Sequence, residues 1–501
     1  MPKSYLSDEP ACQRAVQCGF DPYLQVFRRL VALSEMGHPT GKVELIILGG
    51  TWDDYPESYR LWFVRRAFEA MNDFTGLGAW GLSEAGGKAG GGGAESASDV
   101  PGEGSAKPVL DPTGEGSAKP VVGPTDAAEA EPAPGPATPE AFATLFAAQR
   151  KNEIAAARCV GLVVETRPDC ITPESLTFAR ALGATKIQVG IQSLDEGILA
   201  ANGRPMDLTT IRRAFALLRL FGFKSHIHWM LNLVGATPEA DVAGYRQLME
   251  DAAFRPDEVK LYPCMLIRGA ALEGLWRRGE WAPYSHDTLM DVCAECLAAT
   301  PRNTRVSRMI RDFSAGDILA GDKTANLRQE VEQRALRIAA ERGERLYEMR
   351  IREIIRGEVA SGELTLHEYR FPTSTGEEVF LEWLMAGERL AGFLRLSLPA
   401  ADLSAQLTAG TPYAPGTALI REVHVYGTVA NVGEGAANAQ HQGLGTQLVE
   451  RAAALARQAG YSRLAVISAV GTRHYYERLG FSPVDAPTPS DVATLYQYRE
   501  L

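Results

Sequence analysis

The sequence predicts an α/β protein in which a partial parallel βα barrel is followed by a smaller α+β domain. Short apolar runs alternate with helical patterns through about the first 300 residues, as expected for parallel strands covered on both faces. Five or six such units fit a complete or partial barrel better than an open sheet, and reactive residues are then expected at the carboxyl ends of the strands. From Leu364 onward the strand-like runs follow each other directly, which indicates an antiparallel sheet.

Composition sets limits on the class of protein. The chain has 501 residues with 51 Lys or Arg and 62 Asp or Glu, so its net charge of −11 excludes a globally basic nucleic-acid binder but not a local basic patch. No apolar run approaches the roughly 18–20 residues of a membrane span, and the first residues lack the apolar stretch of a signal peptide. Seven scattered cysteines favour reduced thiols. We therefore expect a soluble cytoplasmic protein that makes no membrane contact.

The barrel is predicted to occupy residues 1–82 and 140–300. Its strands are expected at Val43–Leu48, Val160–Glu165, Lys186–Ile191, Lys224–Leu233 and Glu258–Tyr262. Helices are expected between them, at Tyr59–Asn72, Pro173–Leu182, Leu208–Phe221, Glu239–Asp251 and Ser285–Ala299.

A segment of unusual composition, residues 83–139, interrupts this barrel. It consists mainly of Gly, Ala, Pro, Ser and Glu, and the sequence Gly-Glu-Gly-Ser-Ala-Lys-Pro-Val occurs at Gly102 and again at Gly114. Because such a composition offers little apolar surface to offset the entropy of ordering, we interpret the segment as a disordered low-complexity insertion.

Residues 301–360 form a basic connecting segment. Between residues 302 and 356 there are 13 Lys or Arg and 9 Asp or Glu, and arginines recur at every third position at Arg302, Arg305, Arg308 and Arg311. Arginines in this density could contact the phosphates of a nucleic acid. The interspersed acids leave an alternative open, in which the segment is a solvated helix face paired internally.

The second domain is predicted to span residues 361–501. Antiparallel strands are expected at His367–Phe371, Val379–Met385, Arg389–Leu398 and Leu419–Tyr426. A helix from Gly445 to Ala459 and a strand at Arg463–Ser468 follow them.

The sharpest motif is the glycine-rich turn that opens this helix. Gln440, Gly443 and Gly445 form a Gln-x-x-Gly-x-Gly pattern, continued by Leu444 and Thr446, that leaves backbone N–H groups free at a helix N-terminus. Such groups and the helix dipole hold a pyrophosphate, and glycine permits its close approach.

The order of strand, glycine turn, helix and the later Arg473–Phe481 segment resembles the Gcn5-related N-acetyltransferase fold. That fold implies a coenzyme A site, with pantetheine amides bound along the preceding strand at Glu422, Val423, His424 and Val425. It also implies a tyrosine that protonates the departing thiolate, for which Tyr476 is the first candidate and Tyr475 the second.

The chain as a whole resembles the Elongator catalytic subunit family, from about Ser4 to Phe481 outside the insertion. The segments that carry the resemblance are Phe20–Tyr23, Lys42–Thr51, Val164–Asp169, Gly190–Ser193, Pro256–Pro263, Asn326–Gln329, Arg421–Gly427 and Val470–Arg473. The resemblance implies a barrel of the radical S-adenosylmethionine type joined to the acetyltransferase domain. It further implies tRNA-dependent acetyl-CoA hydrolysis and modification of the wobble uridine, U34, to 5-carboxymethyluridine.

The same resemblance assigns site residues in the barrel. It associates Lys42 with acetyl-CoA, and it places Gly49, Gly50, Glu165 and Gln192 where such barrels contact S-adenosylmethionine. The implied partners are acetyl-CoA and the anticodon region of tRNA, with part of the Arg302–Arg311 stretch against the tRNA; a homodimer is left open.

The chain departs from the family at its metal sites. The family holds a [4Fe–4S] cluster through three cysteines that precede the motif at Ser4, and no Cys-x₃-Cys-x₂-Cys pattern is present here. A second group of family cysteines, thought to bind zinc, aligns with Leu346, Glu348 and Ile351, whose side chains offer no thiolate. The isolated pair Cys293 and Cys296 is better explained as helical core residues. We therefore assign no metal ligands.

Three functions stay open at this stage. The first is a tRNA-modifying enzyme that forms the wobble carboxymethyl group. The second is a degenerate paralogue with an inactive barrel, which acts as a tRNA-binding acetyl-CoA hydrolase or as a binding subunit. The third is an N-acetyltransferase for a protein or a small amine. The first needs an iron–sulfur cluster, the second needs tRNA but no cluster, and the third needs an amine acceptor.

Overall fold

The structure, a computed structural model, describes residues 9–76, 137–310, 313, 316–324, 326–354, 364–426 and 443–501. Within these ranges the chain builds a six-stranded parallel sheet and a seven-stranded mixed sheet, which pack against each other. The predicted insertion, residues 83–139, lies almost entirely outside the described residues. None of the helices in these ranges combines the length and the apolar character that a bilayer crossing requires.

The first sheet is a partial barrel. Its strands lie in the order β1, β2, β3, β4, β5, β7, and every neighbouring pair is parallel. The bounds of these strands are Lys42–Ile46 (β1), Arg158–Thr166 (β2), Lys186–Gln192 (β3), Lys224–Leu231 (β4), Glu258–Pro263 (β5) and Arg305–Arg308 (β7). This sheet confirms the predicted partial parallel barrel, and its first five strands lie where the apolar runs predict them.

Helices cover the outer face of this sheet. Thr172 and Thr237 cap two of the helices by accepting hydrogen bonds from backbone N–H groups, and a proline follows each as the first helical residue. The helices before β7 are Pro10–Gln17 (α1), Pro22–Glu35 (α2), Glu57–Asp73 (α3), Pro139–Asn152 (α4), Pro173–Ala181 (α5), Glu196–Ala201 (α6), Leu208–Leu220 (α7), Pro238–Glu250 (α8), Leu272–Arg277 (α9) and His286–Ala298 (α10).

The segment after residue 300 is more ordered than a simple connection. Strand β7 joins the barrel sheet beyond the predicted boundary at residue 300, because its first residues pair with β5. Helices Leu327–Glu341 (α11) and Met349–Arg352 (α12) then lead to the second sheet, and a small ladder joins Leu266–Ile267 (β6) to Ile318–Ala320 (β8).

The second sheet confirms the predicted α+β domain. Strand order is β14, β15, β13, β12, β11, β10, β9, and β12 pairs with β13 in parallel while the other neighbours are antiparallel. The elements are Thr365–Thr373 (β9), Gly376–Met385 (β10), Arg389–Pro399 (β11), Ala405–Thr408 (α13), Thr417–Val425 (β12), Leu444–Gln458 (α14), Arg463–Val466 (β13), Arg473–Glu477 (α15), Ser482–Pro483 (β14) and Gln497–Glu500 (β15).

A buried network of charges joins the two sheets. Arg421 of β12 donates to both oxygens of Asp257, which precedes β5, at 3.0 and 2.5 Å, and to the backbone carbonyl of Phe223 at 2.8 Å. Its other partner, Glu378 of β10, also accepts a hydrogen bond from Arg219 of α7. These charged side chains are at most 3% exposed, so the network fixes β12 against the barrel at one register.

The Asp257 carboxylate should be required for this docking. Burial alone would raise its pKa, but Arg421 and Arg395 outweigh burial and hold the pKa of Asp257 well below its usual range. Asp257→Asn leaves buried guanidinium groups without their anion, so we expect the free energy of unfolding in urea to fall by ~3–5 kcal/mol. The matched change Glu450→Gln breaks the half-exposed pair with Arg499 and should cost under ~1 kcal/mol.

The sign of the pH dependence follows from the same shift. Because the folded pKa of Asp257 lies below its unfolded value, its contribution is complete at neutral pH and is lost as the pH falls below about 4. Urea midpoints measured across this range should therefore drop less steeply in Asp257→Asn than in the unsubstituted chain. Equal unfolding free energies for the two chains at neutral pH would contradict the role given to the network.

Candidate active site between the two sheets

A cavity of about 980 Å³ lies between the inner face of the barrel and strands β11 and β12. Alternate residues of the barrel strands point into it, because successive side chains of a strand face opposite sides. Its charged lining residues comprise eight cations and four carboxylates: Lys186, Lys224, Lys260, Arg305, Arg308, Arg350, Arg395, Arg421, Glu44, Glu258, Glu353 and Glu422. This excess of cations favours an anionic ligand.

Strand β12 forms one wall of the cavity and has a free edge there. On one side it pairs with β13 only from Thr417 to Ile420. On the other side its pairing with β11 continues as far as Val425, which lies opposite Gly392. The backbone of Glu422, Val423 and His424 therefore pairs with no strand on the β13 side among the described residues. An extended chain with amide groups, such as pantetheine, fits this opening.

The N-terminus of α14 lies next to that free edge. Gly443 adopts a left-handed conformation with φ of 71°, and Leu444, Gly445 and Thr446 form the first turn. A Cβ atom at Gly445 would lie 2.8 Å from the Tyr475 hydroxyl and 3.7 Å from Val425, so only glycine fits without displacement. Gln440, the first residue of the predicted motif, lies outside the described residues. The described part fits a pyrophosphate bound at a helix N-terminus.

The two tyrosines of α15 take different positions. Tyr476 is 7% exposed and lines the cavity, and burial raises its pKa, so its hydroxyl stays protonated at neutral pH. Tyr475 instead directs its hydroxyl toward Gly445, and burial raises its pKa as well. This arrangement is compatible with Tyr476 as a proton donor at the cavity and with Tyr475 beside the glycine turn.

Charged residues that sequence reasoning missed cross the floor of the cavity. Lys224 pairs with Glu422 of β12 and, at 3.2 Å, with Glu258 of β5; Glu258 also lies 3.3 Å from Lys186. Although burial opposes it, Lys224 and Lys186 hold the pKa of Glu258 well below its usual range. The sequence does contain a signal for these residues, because polar side chains occupy alternate positions of otherwise apolar strands. Examples are Lys224, His226 and His228.

The carboxyl ends of the barrel strands carry the residues expected at the S-adenosylmethionine edge. Glu165 ends β2 and lies 3.7 Å from His228, while Gln192 ends β3 in a left-handed conformation with φ of 75°. A non-glycine residue in that conformation is uncommon and often marks a binding site. Gly49 and Gly50 follow β1 at the same edge. These polar strand ends fit a ligand such as S-adenosylmethionine.

Lys42 lies at the opposite end of the barrel. It is the first residue of β1 and pairs with Arg158 of β2. Arg158 packs closely against Gly471, since a Cβ atom added to Gly471 would lie only 2.7 Å from the Cβ atom of Arg158. Gly471 belongs to the turn that leads into α15 and its tyrosines. Burial, followed by the charge of Arg158, lowers the pKa of Lys42. The tertiary structure thus brings Lys42 to the acetyltransferase side of the molecule.

Two of the four arginines considered for nucleic-acid contact are ion-paired in the structure. Arg302 pairs with Glu382 at 2.6 Å and with Glu388 at 2.8 Å, and Arg305 pairs with Glu353 at 2.5 Å. Arg302 and Arg305 are thus held by carboxylates, while Arg305 and Arg308, both on the extended strand β7, line the cavity. Arg308 is exposed at the cavity, whereas Arg311 lies outside the described residues.

The structure does not gather the described cysteines into a metal site. Burial raises the pKa of Cys159 and of Cys264 to about 12, and it also raises the pKa of Cys293 and Cys296. Cys293 and Cys296 are fully buried in the core beside α10, as expected for core residues. The described residues contain no cluster of His, Cys, Asp and Glu that could hold a metal ion.

Comparisons with known proteins agree with the two-domain architecture. Residues 256–337 match the radical SAM C-terminal domain, and residues 346–481 match the GNAT acetyltransferase family. The chain is 35% identical to the tRNA uridine(34) acetyltransferase of Dehalococcoides mccartyi (strain CBDB1), over 96% of this chain and 90% of that protein. It is 31% identical to Elongator complex protein 3 of Danio rerio, over 96% and 75% of the two chains.

A solved structure shows the same arrangement of domains. The archaeal Elp3 of Methanocaldococcus infernus, with residues 1–46 deleted, superimposes with a TM-score of 0.73 at 27% identity and covers 97% of each chain.

The contact between Gly445 and Tyr475 provides a test of the glycine turn. Gly445→Ala should raise the Kd for acetyl-CoA roughly tenfold, because the added methyl group must displace the Tyr475 hydroxyl or close the turn. Isothermal titration calorimetry measures this change. Gly274→Ala in α9 is the matched control, since its Cβ would meet only the flexible end of Arg278 at 3.4 Å. Unchanged affinity in Gly445→Ala would remove the assignment.

Proposed function

The chain belongs to the family of tRNA uridine(34) acetyltransferases and Elongator complex protein 3, and we propose that it uses acetyl-CoA to form 5-carboxymethyluridine at U34 of tRNA. The observation that carries this proposal is the cavity that joins the free edge of β12 to the inner face of the barrel. Acetyl-CoA bound along β12 places its thioester at this cavity, where the barrel residues can reach it.

The residues of the acetyltransferase half support hydrolysis of the thioester of acetyl-CoA. Water attacks the thioester carbonyl, the carbon–sulfur bond breaks, and acetate and coenzyme A are formed. The departing thiolate needs a proton, and the protonated hydroxyl of Tyr476 at the cavity wall can supply it. The cations of the lining stabilise the negative charge that develops on the carbonyl oxygen.

A second candidate function is favoured by the cysteines. The described residues contain no group of His, Cys, Asp and Glu that could hold a metal ion, so they support tRNA-gated acetyl-CoA hydrolysis more directly than the radical step that carboxymethylation needs. In this alternative the chain binds tRNA and hydrolyses acetyl-CoA while the barrel is inactive. Formation of 5-carboxymethyluridine in a reconstituted reaction, detected by mass spectrometry of digested tRNA, separates the two functions.

Tyr476→Phe should separate chemistry from binding. The expected result is a fall in kcat for tRNA-stimulated acetyl-CoA hydrolysis of ~100-fold, with little change in the Kd for acetyl-CoA, because only the proton donor is lost. Hydrolysis is measured as thiol release with and without a tRNA transcript that carries U34. Tyr413→Phe is the control, since its hydroxyl donates to the Ala400 carbonyl away from the cavity. Full activity in Tyr476→Phe would contradict this role.

If acetyl-CoA turnover requires an amine acceptor and not tRNA, the third function given in the sequence analysis, an N-acetyltransferase for a protein or a small amine, is favoured instead. Titration of the unsubstituted chain with tRNA and with polyamines, under the same assay, distinguishes these substrates. Stimulation by tRNA alone supports the proposal.

We propose that Arg308 contacts a phosphate of tRNA. Its side chain is exposed at the basic rim of the cavity. Arg308→Gln should weaken tRNA binding and lower the slope of log Kd against log salt concentration by ~1. Filter binding across a salt series measures both, and Arg278→Gln, an exposed arginine paired with Glu280, is the matched control. Identical slopes for the two variants would refute the contact.

A further inference from the structure

We propose that the imidazole of His424 is the general base that takes a proton from the water attacking the thioester. The inference rests on the proposed acetyl-CoA hydrolysis and deepens it, because that reaction needs an acceptor for the water proton as well as a donor for the thiolate. The family resemblance and the strand geometry use only the backbone of His424, so its side chain has no role so far.

The position of His424 fits this task. It lies in the part of β12 beyond the end of β13, and its side chain lines the cavity that Tyr476 also lines. Its ring stacks on Phe393 with a centroid distance of 5.7 Å and meets the edge of Tyr426 at 4.5 Å. These aromatic contacts orient the imidazole, and its ring nitrogens form no hydrogen bond with a described residue.

The surroundings of the ring keep it neutral. Four charged groups face it from neighbouring elements, namely Glu422 of β12, Lys224 of β4, Glu353 after α12 and Arg305 of β7. The His424 side chain is exposed to the cavity, and the loss of bulk water between the two sheets is the largest influence on its pKa; it lowers the pKa below the ordinary value of 6.5, and the two carboxylates oppose this less strongly. A neutral imidazole at neutral pH has a lone pair that can accept a proton.

The other candidate bases of the cavity are less suitable. Burial is outweighed at Glu258 by Lys224 and Lys186, and at Glu353 by Arg305, so the pKa of each carboxylate is low and its basicity is poor. Glu422 is similarly held by Lys224 and Arg395.

His226 is also a weak base. Burial lowers its pKa to about 3, and its Nε2 atom lies 2.8 Å from the Ser307 hydroxyl. His424 therefore differs from Glu258, Glu353, Glu422 and His226 in that its ring reaches the cavity without a hydrogen bond to a described residue.

The proposed step balances as general base catalysis. One ring nitrogen of His424 accepts a proton as the water oxygen bonds to the thioester carbon. The tetrahedral intermediate then expels coenzyme A thiolate, which takes the Tyr476 proton. Acetate leaves, and the imidazolium returns its proton to the tyrosinate through solvent, so no oxidant or reductant is needed.

The experiment compares His424→Gln with the unsubstituted chain in the tRNA-stimulated hydrolysis assay. Glutamine keeps a polar side chain of similar reach but cannot take up the proton, so kcat should fall by ~100-fold or more. The Kd for acetyl-CoA, measured by calorimetry, should change by less than ~3-fold, because the backbone that binds pantetheine is retained. His286→Gln, a half-exposed histidine of α10 outside this cavity, is the matched control.

Two further measurements do not depend on that variant alone. As the pH is raised, the log of kcat for the unsubstituted chain should first increase and then reach a plateau at a pH below about 6.5. The increasing, acidic limb of this profile should be missing in His424→Gln. His424→Gly should regain activity on addition of imidazole, because the cavity has room for the free base.

The outcomes are distinct. Retained activity and an unchanged acidic limb in His424→Gln would overturn the assignment of the base while leaving the hydrolysis intact. No tRNA-stimulated hydrolysis by the unsubstituted chain would refute the proposed function, and the base assignment with it. Loss of activity with restoration by imidazole supports both.

Discussion

The buried contact between Arg421 and Asp257 is the constraint on which the rest of the structure depends. Arg421 precedes Glu422 in β12. The guanidinium group that docks the second sheet on the barrel therefore also fixes the position of the β12 residues that line the cavity. Removing two charges from water is costly, and the geometry must therefore be satisfied by several hydrogen bonds at once. Here the Phe223 carbonyl and Glu378 complete the set, which gives one favourable docking position.

The docking position explains why the cavity is polar. Both sheets present a face to it, and a purely apolar contact would close the space between them. Lys186 and Lys224 of the barrel instead meet Glu258 and Glu422, so the charged groups neutralise one another locally while a volume of about 980 Å³ stays open. The lining cations then outnumber the carboxylates, which suits a thioester substrate that develops negative charge during hydrolysis.

The connecting segment uses charge where the family resemblance has cysteines. Glu348 is fully buried, caps α12 and accepts hydrogen bonds from Val306 N–H and from Arg328 at 2.6 and 3.3 Å. Burial raises the pKa of this carboxyl group. Nearby, Glu382 holds Arg302 and Arg352 at 2.6 Å each. Carboxylates and guanidinium groups thus hold together the junction of α12, β7 and β10 through hydrogen bonds.

The sequence by itself determined the fold class, the strands from Lys42 to Pro263 and the turn at Gly443 and Gly445, because alternation and glycine turns are local signals. Only the tertiary structure decided that Lys42 lies beside the turn before α15 and that Arg302 and Arg305 are ion-paired. Their spacing suggested a helix face, but β7 is extended, and their acidic partners lie 48 to 86 residues away. The orientation of His424 toward the barrel likewise depends on docking, since a single strand does not specify what faces it.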